Sequence, residues 1–179
     1  MPMIDVLIPE GALKPEAERR LLKELTDILI AAEGFDPASN KVAQSVTWLF
    51  LHRPAAVYVA GAKAAAPRYR VVPTVPEGQY TDEARNGLVR KVAEAFARAE
   101  GGEFDEVASR LWVFPTEIPD GEWGGRGRIV RLPEIQALLA GEQERTVGEA
   151  RLARRRRDKA RQIFEGALDA VRRGEAGDA

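Results

Sequence analysis

The sequence predicts an α+β fold in which two tandem β-α-β units form a four-stranded sheet with two helices on one face. The tetrapeptide at residues 8–11, Ile-Pro-Glu-Gly, returns as Val-Pro-Glu-Gly at residues 75–78, and helical positions after each copy keep the same offset. Such a shared register indicates an internal repeat. Each copy also reads strand, helix, strand, and a right-handed crossover makes the two strands of each unit parallel. We therefore predict repeats at 1–66 and 67–135, and a charged helical extension at 136–179.

The first unit begins with an apolar, β-rich segment at residues 3–8, which Gly11 interrupts. A helix follows from Pro15, a residue type tolerated in the first helical turn, and Gly34 marks its end. Apolar residues at a spacing of three and four form one face of this helix. They are Leu21, Leu22, Leu25, Ile28, Leu29 and Ala32.

The remaining strands follow the same logic. A second strand is predicted at residues 45–51 and a short one at 56–60. The second unit then has a strand at 69–75, a helix from Thr81 to about residue 99, and a strand at 110–114. Threonine is one of the residue types that cap a helix N-terminus. The sheet face away from the helices must be covered, and association of subunits is the simplest cover.

Composition and charge exclude several classes of protein. The 179 residues carry a formal charge of -1, so no global attraction to nucleic acid or membranes is expected. Without cysteine there is no disulfide framework, no thiolate nucleophile and no Cys-ligated metal, and a single histidine argues against a metal site. No apolar run reaches the ~18 residues of a membrane span, and the first residues lack a signal-peptide layout. We expect a cytoplasmic protein without metal or cofactor.

Pro2 is the residue with the most distinctive chemistry. If Met1 is removed, Pro2 becomes a free secondary amine at the head of a strand. An ordinary α-amino group titrates near pH ~7.7–8.0, and burial or nearby cations lower its pKa. Such an amine can act as a general base or a nucleophile at neutral pH.

The predicted extension contains a run of basic residues at 151–161, together with a weakly amphipathic pattern of apolar positions. A basic run can bind RNA or an acidic partner. Here no aromatic residues interleave the arginines, and acidic residues flank them, so nucleic-acid binding is not expected. We expect instead a solvated helix that lies over a neighbouring subunit.

The Pro2-headed unit, the Ile-Pro-Glu-Gly turn and the duplication together resemble the tautomerase superfamily, especially the fused double units of its cis-3-chloroacrylic acid dehalogenase and malonate semialdehyde decarboxylase branches. Residues 112–119 are similar to the dehalogenase's fourth strand. Residues 122–128, in which Trp123 precedes a Gly-Arg-Gly-Arg segment, are similar to the decarboxylase. The resemblance covers residues 2–135. It implies a cofactor-independent homotrimer with active sites built around the N-terminal prolines.

The same resemblance bears on the site residues. The dehalogenase and decarboxylase place two arginines after the third strand to bind the substrate carboxylate, and here those positions are Pro76 or Glu77 and Gln79. The dehalogenase's water-activating glutamate falls near Gly125. Only Pro2 carries over, which argues against hydrolytic dehalogenation because that reaction needs a base for water. An acidic substrate still requires a cation, and arginine binds carboxylates bidentately. The candidate substrate-binding residues are Arg126, Arg128, Trp123, Phe114 and Gln79.

The predicted function is keto-enol tautomerisation of a small 2-oxo or 2-hydroxydienoate acid, with Pro2 as the catalytic general base. Two alternatives stay open: a Pro2-dependent decarboxylase of a β-keto or semialdehyde acid, and a non-catalytic trimeric binding protein. The expected partners are a small-molecule carboxylate and two further copies of the chain, with no membrane.

Overall fold

The computed structural model describes residues 2–177, and the side chains of residues 2–173. Met1, on whose removal the free amine of Pro2 depends, lies outside the described residues. The central sheet has four strand positions, in the order β2 (Trp48–His52), β1 (Met3–Leu7), β5 (Tyr69–Pro76), and then β6 (Leu111–Val113) with β7 (Thr116–Ile118). Within each unit the paired strands are parallel, and β1 meets β5 antiparallel. The predicted four-stranded sheet of two β-α-β units is confirmed.

Two long helices cover one face of this sheet. Helix α1 (Pro15–Ala32) has proline in its first turn, and helix α3 (Asp82–Glu100) begins where the Thr81 hydroxyl accepts a hydrogen bond from the Ala84 N–H at 3.1 Å. Helix α3 ends at Gly101, whose φ of 74° is left-handed and favours glycine. The core between sheet and helices contains Ile4, Val6, Ile8, Leu21, Leu25, Leu29, Val71, Val75, Leu88, Val92 and Phe96. The predicted fold class is confirmed.

Several short elements differ from the prediction. The strand expected at residues 45–51 begins only at Trp48, because helix α2 (Lys41–Val46) precedes it. This helix starts at Asn40, whose side chain accepts a hydrogen bond from the Ala43 N–H at 2.8 Å. The single strand expected at 56–60 is a hairpin of β3 (Tyr58–Val59) and β4 (Ala62–Lys63).

The fourth strand is also interrupted. The strand expected at residues 110–114 corresponds to β6, which is only the first half of the fourth strand. After a gap at Phe114 and Pro115, the second half continues beside β5 as β7. Proline has no N–H to donate to a neighbouring strand, which explains the break. Before this strand, the chain forms the short helix α4 (Phe104–Ala108).

The chain closes with helix α5 (Leu132–Ala140), a 3₁₀ turn (Glu142–Glu144) and the long helix α6 (Arg145–Gly177). The basic run on α6 binds carboxylates of its own chain: Arg155 pairs with Glu117 at 2.8 Å and Arg156 with Asp120 at 3.2 Å. Lys159 pairs with a third carboxylate, that of Glu77. The expectation of a solvated helix is therefore wrong for one face of this part of α6, because β7 and the loops after β5 and β7 present buried carboxylates to it. That α6 also lies over a neighbouring subunit stays a prediction.

A close backbone approach accompanies these ion pairs. Gly78 follows β5 with a φ of 94°, and a Cβ built on it would lie 3.3 Å from backbone atoms of Leu152 on α6 and 3.0 Å from Leu132. Only glycine combines this conformation with such small clearance. Leu152 itself is buried. The first part of α6 is thus packed against the second unit, whereas Ile163, Phe164, Leu168 and Val171 farther along are exposed.

The division of the chain at residue 135, which lies within α5, stays a prediction. None of the helices among residues 2–177 combines the length and the apolar character needed to cross a membrane.

Candidate active site

A cavity of about 610 Å³ lies at the end of the sheet where β1 begins, on the face that the helices leave uncovered. The strand register brings Met3 of β1 beside Trp48 of β2 and Thr74 of β5, and all three line the cavity. The remaining lining residues come from Pro2, the end of α2, and the segment after β7. They are Pro2, Ser45, Val46, Ile118, Glu122, Trp123, Gly124, Gly125 and Arg126.

Three of the predicted site residues meet here. Pro2, Trp123 and Arg126 all line this cavity, although they come from opposite ends of the tandem unit. Pro2 is buried, and its carbonyl oxygen accepts a hydrogen bond from the Trp48 N–H at 3.3 Å. This bond extends the pairing of β1 with β2 to Pro2 and fixes its backbone at the cavity wall.

A tight hairpin delivers Arg126 to the cavity. Strands β8 (Gly124–Gly125) and β9 (Arg128–Ile129) pair antiparallel, leaving Arg126 and Gly127 as the two turn residues. Their φ angles are 53° and 75°, so both have the left-handed conformation that two-residue hairpins of type I′ require. For a residue other than glycine this conformation costs about 1–3 kcal/mol. The hairpin therefore holds Arg126 at its tip in a defined position.

Trp123 serves two surfaces at once. It is half-buried against a second apolar cluster that includes Ile30, Val130 and Ile135, and it also lines the cavity. Its carbonyl oxygen accepts a hydrogen bond from the Val130 N–H at 2.9 Å, which closes the base of the β8–β9 hairpin. The Trp123 side chain thus packs within its own chain and lines the cavity at the same time.

Arg128 lies outside the cavity lining. Its Nη1 donates to Glu134 Oε1 at 2.7 Å, on the first turn of α5. The pKa of the Glu134 carboxyl is lowered by the Arg131 backbone N–H and then by Arg128. Of the two candidate arginines, the structure brings only Arg126 to Pro2.

Phe114 and Gln79 also lie elsewhere. Phe114 is exposed beside Trp112, with ring centroids 6.3 Å apart. Gln79 is 5% exposed, and its Oε1 accepts hydrogen bonds from Gln136 at 3.1 Å and Arg151 at 2.7 Å. Neither Phe114 nor Gln79 lines the Pro2 cavity. Their role in substrate binding stays a prediction without geometric support.

The buried polar cluster around Gln79 contains an unusual carboxyl group. Glu33, at the end of α1, is 1% exposed, and its Oε1 accepts a hydrogen bond from Gln79 Nε2 at 3.1 Å. Burial raises the pKa of Glu33 to about 7, with smaller opposing effects from Gln79 and Arg151. Burial also lowers the pKa of Arg151, which donates to the Glu33 carbonyl oxygen at 3.0 Å. This cluster joins α1, α5 and α6.

Sequence reasoning missed Glu122. This residue lines the cavity together with Pro2 and Arg126. Among the described side chains, those of residues 2–173, neither Glu122 nor Arg126 has an ion pair or a side-chain hydrogen bond with another side chain. The signal available was its place in the quoted segment at residues 122–128, three residues before the position aligned with the dehalogenase's glutamate. The cavity therefore contains one cationic and one anionic side chain.

No set of His, Asp or Glu side chains among the described residues is arranged to hold a metal ion. The cavity's polar and aromatic groups are the Pro2 ring, the guanidinium of Arg126, the carboxylate of Glu122, the hydroxyls of Ser45 and Thr74, and the indole rings of Trp48 and Trp123.

Comparison with known proteins supports the fold. The sequence matches no protein-family model and no curated protein. Among solved structures, a wild-type fused 4-OT that forms a symmetric trimer is 26% identical, with 78% of this chain and 98% of that chain covered and a TM-score of 0.56. A second protein, crystallised after inactivation by 2-oxo-3-pentynoate, is 23% identical over 71% of this chain and 94% of that one, with a TM-score of 0.57.

Macrophage migration inhibitory factor from Toxoplasma gondii is 17% identical, with 72% of this chain and 99% of that chain covered and a TM-score of 0.55. The structural neighbours are thus proteins of the tautomerase superfamily, and the chain has the fold of fused 4-OT and migration inhibitory factor. The resemblance stated from the sequence is confirmed at this level.

Proposed function

We propose that this chain is a tautomerase in which the amine of Pro2 moves a proton between the enol oxygen and a carbon atom of a small 2-oxo acid. The observation that carries the proposal is that Pro2 and Arg126 line the same cavity. A general base and a cation for the carboxylate are the two groups that such a reaction requires. The fold shared with fused 4-OT supports the same conclusion.

The proposed reaction needs no group beyond the chain itself. Arg126 binds the substrate carboxylate, bidentately where the geometry allows, and so orients the adjacent enol. The neutral Pro2 amine accepts the proton of the enol hydroxyl, and the resulting ammonium returns a proton to the neighbouring carbon, which yields the ketone. In this proposal, backbone N–H groups of the glycine-rich hairpin stabilise the negative oxygen that forms in between. The reaction requires that Met1 be removed, because a preceding residue would turn the Pro2 nitrogen into an amide.

The exposed sheet face supports assembly into a homotrimer. Trp48 and Phe50 on β2 and Trp112 and Phe114 on the other edge form two edge-to-face aromatic pairs, and Trp112 is 70% exposed. Exposed large aromatic side chains at both edges of one sheet face make that face a candidate interface. The cavity opens on the same face, so a neighbouring copy would border the site. Fused 4-OT structures that form trimers support three copies.

The proposal is tested by the ketonisation rate of phenylenolpyruvate with wild type and Pro2→Ala, after intact mass has established whether Met1 is present. We expect a wild-type rate well above the uncatalysed one and a loss of at least about 100-fold in kcat/KM for the variant, the lower range for removal of a general base. Arg90→Gln, an exposed change on α3, is the matched control. A wild-type protein that lacks Met1 and still reacts at the background rate would overturn the proposal.

A further inference from the structure

Each of the two long helices ends in a glutamate at the same place in its repeat. Glu33 follows α1, and Glu100 ends α3 at the offset that also relates the two tetrapeptides. The strands of each unit are parallel, so the helix between them runs back and ends beside the heads of both strands. At that offset, Pro2 at the head of β1 corresponds to Tyr69 at the head of β5.

In the second unit this glutamate contacts the head of the strand directly. The Tyr69 hydroxyl donates to Glu100 Oε2 at 2.7 Å, and the Arg110 guanidinium pairs with the same carboxylate. Burial raises the pKa of Glu100, but hydrogen bonds from Arg110 and Tyr69 hold it below its ordinary value. The carboxylate at this place in the repeat is therefore ionised in the company of a cation.

The first unit has the glutamate without such a cation. Arg110 lies two residues before Trp112, whereas the uncharged Val46 lies two residues before Trp48. Glu33 is 1% exposed, and one of its oxygens accepts a hydrogen bond, but Oε2 has no hydrogen-bond partner among the described residues. Buried polar atoms nearly always have a partner in native structures. Oε2 of Glu33 therefore marks the place of a missing donor.

The free amine of Pro2 fits that place. Burial alternates along β1, where Ile4 and Val6 face the helices, and Pro2 is buried with the same parity. Glu33 continues by four residues the buried stripe that includes Leu29 on α1. Burial raises the pKa of Glu33, and the largest opposing effect is the positive charge of the amino terminus.

We propose that Glu33 is a positioning residue for the proposed reaction, in which its carboxylate pairs with the Pro2 amine and stabilises the ammonium formed when that amine takes the enol proton. This inference rests on the proposed function, because it takes the Pro2 amine as the base. Burial alone lowers the pKa of an amine, whereas a nearby carboxylate raises it. A general base works best with a pKa near the working pH. Glu33 thus keeps a buried amine basic enough to accept the proton.

Other charged and titratable groups surround the pair, and all of them are the same in wild type and in variants of Glu33. They are Arg151 on α6, Tyr80 after β5, and Arg126 and Glu122 at the cavity. Burial and then nearby carboxylates raise the pKa of the Tyr80 hydroxyl, so it stays protonated. Because Glu33 is buried within the single chain, a neighbouring copy that borders the cavity does not replace its contacts.

A titration of the Pro2 nitrogen by ¹⁵N NMR tests the inference without turnover. The protein carries ¹⁵N-proline, and treatment with methionine aminopeptidase, checked by intact mass, ensures that Met1 is absent. Glu33→Gln keeps the size of the side chain and the acceptor for Gln79, and we expect it to lower the titration midpoint by at least about one pH unit. Glu33→Asp keeps the charge and should retain most of the wild-type midpoint. Glu16→Gln, an exposed change at the other end of α1, is the control.

Kinetics add a readout that packing alone would not move. With phenylenolpyruvate, the acid limb of the kcat/KM profile should follow the amine to lower pH in Glu33→Gln. The kcat of this variant on the alkaline side should fall by up to about tenfold with little change in KM, since the amine is a weaker base. Absence of turnover in wild type would end the proposed function, yet a lowered Pro2 midpoint in Glu33→Gln would still support the pairing. A midpoint that is unchanged or higher in Glu33→Gln, or that falls equally in Glu33→Asp, would overturn the inference.

Discussion

The carboxylate of Glu117 on β7 pairs with the guanidinium of Arg155 on α6 at 2.8 Å. Glu117 is also paired with Arg85 at 2.7 Å, and it accepts hydrogen bonds from the backbone N–H groups of Gly78 and Tyr80. One carboxylate, 7% exposed, thus joins the fourth strand, the start of α3, the turn after β5 and the long C-terminal helix. The basic run at residues 151–161, a pattern that can bind nucleic acid, here forms ion pairs within its own chain.

Removal of this carboxylate should be costly. We expect Glu117→Gln to lower the free energy of unfolding by about 2 kcal/mol, because it removes a buried carboxylate charge from two partly buried guanidinium groups, those of Arg85 and Arg155. The measurement is urea unfolding followed by circular dichroism, with trypsin cleavage within residues 151–159 as a probe of α6 release. Glu16→Gln removes an exposed ion pair with Arg19 and should change stability by less than about 0.5 kcal/mol. Equal effects of the two changes would contradict this role of Glu117.

The buried Glu33 predicts a dependence of stability on pH. Its pKa is about 7 in the folded protein and 4.5 is its ordinary value, so the folded state binds the proton more tightly. The favourable contribution of protonated Glu33 to the free energy of unfolding is complete below about pH 4.5. This contribution is lost as the pH rises to 7, and the total loss is about 3 kcal/mol. Residue 33 of the Glu33→Gln variant does not titrate. The free energy of unfolding of this variant, relative to that of wild type, should therefore rise between pH 4.5 and 7.

Urea unfolding of wild type and Glu33→Gln at several pH values between 4.5 and 8 measures this difference directly. Arg151, which faces Glu33, remains charged throughout, and the exposed Glu165→Gln serves as the control that should run parallel to wild type. A difference between Glu33→Gln and wild type that stays constant with pH would show that Glu33 titrates at its ordinary pKa.

The two arginines of the β8–β9 hairpin are predicted to differ in function. Arg126→Gln should raise the KM for phenylenolpyruvate by at least about tenfold, because a charged hydrogen bond to a carboxylate contributes about 1.5–3 kcal/mol. Arg128→Gln, whose side chain is paired with Glu134 outside the cavity, should leave KM within about twofold. Steady-state kinetics of both variants decides the matter, and a larger effect at Arg128 would mean that the hairpin is differently oriented in the active protein.

Assembly through the open sheet face is also testable. Trp112→Glu places a charge on the exposed aromatic pair that Trp112 forms with Phe114, and we expect it to convert a trimer into monomers with unchanged circular dichroism, since the side chain is 70% exposed in the single chain. Val89→Glu, at an exposed position on α3, is the matched control. Sedimentation equilibrium gives the mass of each. A trimer that survives Trp112→Glu would exclude this face as the interface.

The repeated tetrapeptide and the apolar spacing of Leu21, Leu25 and Leu29 were sufficient to predict the sheet, both long helices and the class of fold, because these features depend on local sequence. Helix α2 was missed since its six residues are too few for a helical period, and its Asn40 cap reads equally well as a turn. The docking of α6 depends on ion pairs between residues some 40 to 80 positions apart, such as Lys159 with Glu77, which no local pattern reveals.

Only part of the candidate site was predicted from the sequence. Pro2, Trp123 and Arg126 were named from chemistry and motif, and they lie together. Gln79 and Phe114 were taken from positions in related enzymes, whereas in this chain Gln79 is buried and accepts hydrogen bonds from Gln136 and Arg151. Glu122 was not predicted, because only the folded chain shows that it lines the same cavity as Arg126.

Covalent labelling tests most directly whether Pro2 acts through a free amine. An acetylenic ketone such as 2-oxo-3-pentynoate adds to a neutral amine, and mass spectrometry of the N-terminal peptide locates the adduct. The account predicts a peptide that begins at Pro2 and carries one label on its nitrogen, with ketonisation activity lost in step with labelling. An unlabelled Pro2 in a protein whose activity has been lost, or full activity in a protein that retains Met1, would contradict the account.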